Sequence, residues 1–171
     1  MPRNYWFVSD THFGHENILK WSATRSGLFN SAKEMDEHMI EQWNSVVKQG
    51  DIVYHLGDVF LGPNNQERKA KVMSRLKGSK RLILGNHDDV KDLSRGGWFK
   101  KVMLWRVWDT RPLLFSHVPV HESSLSERVI SAGGINVHGH THDNGSPEGP
   151  YLSVCVEKTN FRPINLDEIE S

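Results

Sequence analysis

Tyr5-Trp6-Phe7-Val8-Ser9-Asp10-Thr11-His12 decides the fold: a short apolar run stops at a carboxylate and an imidazole placed two residues apart. A brief apolar and aromatic run bounded by polar residues reads as a buried strand. The pattern then returns along the chain. Ile52-Val53-Tyr54-His55-Leu56 leads into Gly57-Asp58, and Leu82-Ile83-Leu84 leads into Gly85-Asn86-His87-Asp88. Leu113-Leu114-Phe115 leads into Ser116-His117, and Ile135-Asn136-Val137 precedes Gly139-His140-Thr141-His142. Carboxylate, imidazole and amide oxygen at successive strand ends are the donors that two adjacent divalent metal ions take.

The segments between these strands are helical. Ser31-Ala32-Lys33-Glu34 has the capping-box pattern. Met35, Met39, Trp43 and Val46 follow helical spacing, and Gly50 lies beyond the end. A basic helix is expected over 65–76, closed by Gly78, and short helical turns over 89–95. Strand, helix, strand, helix, strand argues for parallel strands joined by crossover helices, and such sheets bind ligands beyond the carboxyl ends of their strands. The second half reads as more antiparallel. Strands are expected over 102–108 and 112–115, a short helical piece over 127–132, late strands over 135–137 and 152–156, and an edge strand or short helix over 165–170. The expected fold class is α/β, with two packed mixed β-sheets flanked by helices, and residues 1–171 forming one domain.

Lys plus Arg and Asp plus Glu each number 21, so the formal net charge is zero. Wrapping of long nucleic acid usually needs a basic face, which this balance does not provide. A small nucleotide stays compatible with it. Cys155 is the only cysteine, which excludes a disulfide framework and a thiolate metal site. No apolar stretch approaches the roughly 20 residues of a membrane span, and a soluble protein of a reducing compartment is expected. Histidine is the unusual component, with ten copies. Its neutral ring is a common metal ligand.

Asp10 and His12, two residues apart, can converge on one ion in a tight loop, and His140 and His142 repeat that spacing. Adding Asp58, Asn86 and His117 makes too many donors for a single tetrahedral ion and suits two ions that share a carboxylate. Glycines 57, 85 and 139 each precede a candidate ligand, where a small residue lets backbone and ion approach.

The ordered set Asp10-x-His12, Gly57-Asp58, Gly85-Asn86-His87-Asp88, His117 and Gly139-His140-x-His142 resembles the signature of the calcineurin-like metallophosphoesterases. The stretch Asp10-Thr11-His12-Phe13-Gly14-His15-Glu16-Asn17-Ile18 is similar to a small bacterial and phage branch of predicted phosphoesterases. The resemblance implies the four-layer sandwich of that family and two divalent ions. Manganese is the expected metal, with iron, zinc, nickel or cobalt as alternatives. It places one ion on Asp10, His12 and His142, the other on Asn86, His117 and His140, and Asp58 between them. It makes His87 the catalytic histidine near the leaving-group oxygen, with a hydroxide bridging the ions as nucleophile. Asp88 is expected to orient His87 through its other ring nitrogen.

The implied activity is hydrolysis of phosphoric esters, leaning to diesters, with a small phosphate ester or nucleotide as substrate. The alternative is a metal-binding scaffold of the same fold that has lost catalysis and serves protein–protein interaction. A cytoplasmic location is expected, in the host cell if the chain is phage-encoded. No membrane partner is expected, and the oligomeric state stays open. His15 and Arg25 are candidate substrate contacts, Arg25 through its planar fork. His55 and His138 read as structural, and His38 as solvated. Trp98, Trp105 and Trp108 fit either a stacking platform for bases or a packed hydrophobic hairpin.

Overall fold

Alternation of side chains along three short strands sets the layers of the molecule. The computed structural model describes residues 4–108, 110–125, 129 and 131–171. In chain order its first half contains β1 (Tyr5–Val8), α1 (Ile18–Trp21), α2 (Ala23–Ser26), α3 (Ala32–Val46), β2 (Ile52–His55), α4 (Gln66–Arg75), β3 (Ser79–Ile83) and α5 (Val90–Gly96). The second half contains β4 (Lys101–Met103), β5 (Trp105–Val107), β6 (Leu113–Ser116), β7 (Ile135–His138), β8 (Tyr151–Ser153), β9 (Ile164–Asn165) and α6 (Leu166–Glu170). The helical piece expected over 127–132 falls largely outside the described residues.

The strands form two sheets, ordered β4-β3-β2-β1-β9 and β5-β6-β7-β8. The first is parallel from β1 to β4, as the strand–helix alternation predicts, with β9 antiparallel at its edge. Phe7, Ile52, Tyr54 and Ile83 pack with Phe115 and Val137 of the second sheet in one buried cluster. Their neighbours Val8, Val53 and Leu82 join Met35, Met39 and Trp43 of α3 and Val72 of α4 in another. Phe7 stacks on Phe115 with ring centroids 4.9 Å apart, and Trp108 meets Phe7, Tyr54 and Phe115 edge-on. Trp108 is therefore a partly buried residue packed against the core, while Trp98 lies against Phe60.

The helix caps follow the sequence closely. The Ser31 side chain accepts from Glu34 N, although Glu34 reaches back to Asn30 N instead of completing the reciprocal bond. Asn65 and Asp89 cap α4 and α5 in the same way.

Two expectations change. The single strand expected over 102–108 is broken at Leu104: β4 pairs in parallel with β3 of the first sheet, while β5 pairs antiparallel with β6 of the second. The later strands are also less antiparallel than expected, since β6, β7 and β8 run parallel. Beyond the second sheet, buried Asn136 accepts from Val120 N, and Tyr151 Oη donates to Val120 O.

Candidate metal centre

Parallel pairing brings the carboxyl ends of β1, β2 and β3 side by side, so their loops share one rim. The loops are locked by backbone bonds: Asp10 N donates to Gly57 O, and His12 N to Asp58 O. Asp88 ties the third loop to the second, because its carboxylate accepts from Asp58 N, Val59 N and Gly85 N, each at 2.9 Å. That carboxylate is spent on backbone, which corrects the expectation that it orients the His87 ring. Burial raises its pKa, and those same bonds oppose the shift. The His87 backbone N donates to Asp58 Oδ1 at 2.9 Å, and its exposed ring stands 5.8 Å from that of His12.

Two groups of donor atoms converge within 4.8 Å: Asp10 with His12 and His142, and Asp10 with Asp58 and His117. Asp58 Oδ2 lies 3.6 Å from His12 Nε2 and 3.4 Å from His117 Nε2, between the two. His117 Nε2 is also 2.9 Å from Asn86 Oδ1. His140 joins neither group; it is exposed, with its ring 5.1 Å from that of His117 and its backbone N bonded to Asp10 Oδ2.

The donor set fits divalent ions. Asp10 Oδ1 and His12 Nε2 are buried with no hydrogen-bond partner among the described residues, a costly arrangement for polar atoms that nothing else engages. His117 Nδ1 bonds to Leu56 O and His142 Nδ1 to Glu157 Oε1, which turns both Nε2 atoms toward the carboxylates.

The charges are mutually held. Burial pushes the Asp10 and Asp58 pKa values up, but neighbouring histidines, His12 for Asp10 and His117 for Asp58, leave both below the ordinary carboxylate range. Burial pushes His117 down, but the Asp58 hydrogen bond and the Asp10 charge raise it to about 9. His142 is raised by Glu157 against burial, while burial lowers His12.

Arg25 is not a substrate contact. Its side chain is fully buried; Nε donates to Glu157 Oε1 at 2.7 Å, and the two NH groups donate to Thr11 O and Asp10 O. It holds the backbone of the first ligand loop from behind. Glu157 is the functional residue that sequence reasoning missed. Its signal was the one used elsewhere, a carboxylate following an apolar run, here Val154-Cys155-Val156. His15 sits beside His12, with ring centroids 5.7 Å apart, and its buried Nδ1 has no partner among the described residues. Burial, then the charge of His12, lowers its pKa to about 4.

The remaining histidines separate cleanly. His55 Nε2 donates to Thr11 Oγ1, whose hydroxyl donates to Val59 O, and His55 Nδ1 accepts from Gly57 N. His138 is fixed between Gly139 O and Ser146 Oγ. His38 is half-buried against Phe29 and Phe161, which corrects the expectation that it is solvated.

Residues 3–150 match the family model described as calcineurin-like phosphoesterase. An uncharacterized protein of Methanocaldococcus jannaschii is 32% identical over 98% of this chain and 89% of that protein. The gene 66 protein of Mycobacterium phage L5 is 30% identical over 81% of this chain and 77% of its own length. A crystal structure of a protein of unknown function from Aquifex aeolicus shares the fold, with a TM-score of 0.73, 24% identity and coverage of 99% of this chain and 98% of that one.

Proposed function

This chain belongs to the calcineurin-like phosphoesterase family, and from that premise we propose that it hydrolyses small, nucleotide-like phosphodiesters at a pair of divalent ions. Membership makes it a metal-dependent phosphoric ester hydrolase; the number of ions, manganese as the metal, a diester substrate and a cytoplasmic setting are our finer reading. The observation that carries it is Asp58 Oδ2, placed between His12 Nε2 and His117 Nε2 beside the partnerless Asp10 Oδ1. In this reading Asp10, His12 and His142 hold one ion, Asn86, His117 and His140 the other, and Asp58 serves both. Two such ions, when bound, supply charge neutralisation at the phosphoryl oxygens and a water acidic enough to act near neutral pH.

The protein's own groups do the rest. His87 stands at the open mouth of the site and delivers a proton to the leaving oxygen. Asp88 fixes the loops so that the His87 backbone stays bonded to Asp58. His15, half-exposed beside His12, contacts the ester from the His12 side.

The test is turnover of aryl mono- and diesters with added Mn²⁺, alongside metal content by elemental analysis. His87→Ala should lower kcat by about 10²–10⁴-fold with metal content unchanged, whereas Asp58→Asn should lose both metal and rate. Loss of metal in His87→Ala, with retention in Asp58→Asn, would reverse the assignment. No turnover of any ester would leave the scaffold reading.

A further inference from the structure

Two grooves of opposite character lie beside the metal centre, one lined by His87 and the other by Asn86 and His117. On the His87 side the walls carry Arg68, Lys69, Asp89 and Asp92. On the Asn86 and His117 side lies a groove of about 470 Å³ whose walls are Leu104, Trp105, Val118 and Val120. Leu104 is 71% exposed, Trp105 61% and Val118 44%. Among the described residues Asp88 is the one carboxylate lining this second groove, and its oxygens are already engaged by three backbone N–H groups. The break between β4 and β5 creates the apolar wall, since it turns Leu104 and Trp105 outward at the edges of both sheets.

We infer that the apolar groove is the subsite for a flat, uncharged aromatic group of the phosphoester, a nucleobase or aryl ring on the substituent retained by phosphorus. Contiguous exposed apolar surface of this kind marks a binding site, and its volume suits a small ligand. An indole face flanked by aliphatic side chains stacks a ring of any base without reading its edges. Among the described residues no lysine or arginine lines this groove, so they offer nothing to a further phosphate. Its contact with Asn86 and His117 places the ring's owner on the reacting phosphorus. Because His87 lines the other groove, the ring lies away from the proton donor and stays on the retained side. A second copy of the chain seated here would cover Asn86 and His117, which favours substrate over a dimer interface. The inference rests on the hydrolase reading and extends it to a substrate class.

The experiment compares two esters with the same leaving group on metal-loaded full chain: thymidine 5′-(p-nitrophenyl phosphate) and methyl p-nitrophenyl phosphate. The thymidine ester should show a KM lower by roughly 5- to 150-fold, the range of one stacked base. Trp105→Ala should erase that difference and leave the methyl ester within two-fold of its original kcat/KM. Trp105→Phe should restore most of it. Equal KM values in the unaltered chain, or equal losses on both esters in Trp105→Ala, would overturn the subsite. So would light scattering that shows a dimer dissolved by Trp105→Ala. Calorimetric titration with thymidine 5′-monophosphate against inorganic phosphate reads the subsite without turnover. If neither ester is cleaved but the monophosphate binds tighter and loses that margin in Trp105→Ala, the hydrolase reading fails and the subsite stands; equal binding would overturn the subsite.

Discussion

A buried carboxylate keeps its charge only while a partner holds it, and Arg25 does this for Glu157, with both side chains shut off from solvent. Breaking such a pair strands the other charge, at a cost of about 3–5 kcal/mol. Arg25→Met should therefore lower stability by about that amount in urea unfolding, with the KM for small esters nearly unchanged in the folded fraction. A variant of full stability and raised KM would return Arg25 to the substrate. The sequence could not separate these roles, because α2 is a four-residue helix with no periodicity to reveal its inner face. The candidate ligands were legible for the opposite reason, since each follows an apolar run and carries donor atoms. Asp88 shows the limit of that logic: its residue type was informative, but its direction is set by the N–H groups of two neighbouring loops.

At the scale of elements, the centre depends on how closely the ends of β2 and β3 approach. Gly57 adopts φ +100°, and a Cβ there would meet the Gly85 backbone at 2.6 Å. A Cβ on Gly85 would come within 2.1 Å of Asp58 Oδ1 and 2.4 Å of its backbone N. Backbone cannot yield as a flexible side-chain tip does, so Gly85→Ala should push the Asp58 loop away. The expected result is destabilisation of about 1–3 kcal/mol and loss of metal capacity, read by thermal unfolding and elemental analysis. Unchanged metal content would show that the loop ends tolerate separation. Parallel strands and helices were readable here because alternation and helical spacing persist over whole segments. The break at Leu104 was not, because Val102 to Trp108 contains neither glycine nor proline. Only the pairing of each half with a different sheet divides it.

Across the whole molecule, backbone conformation gathers where the donors do. Asp10, His12, Asp58, His140 and His142 all have φ between 47° and 70°, a left-handed region costing non-glycine residues roughly 1–2 kcal/mol each. Strain of this kind persists where the surroundings over-determine it; here bonds between the loops at the ends of β1, β2 and β3 hold the donors in place. The fold thus holds partly desolvated carboxylates and imidazoles in a geometry of little use to the protein alone. Ions that bind this arrangement and not the unfolded chain must stabilise it, by about 2.7 kcal/mol per site at one hundred times Kd. In a domain of this size that is a rise in Tm of roughly 5–11 °C per site, removed by a chelator and restored by Mn²⁺. Asp58→Asn should abolish most of the rise, because Asp58 Oδ2 lies within 3.6 Å of both His12 Nε2 and His117 Nε2, while Trp105→Ala should keep it in full. Scanning calorimetry of the three proteins with and without the ion separates the cases. A Tm that ignores the metal in the unaltered chain would mean that the strained loops are held by packing alone.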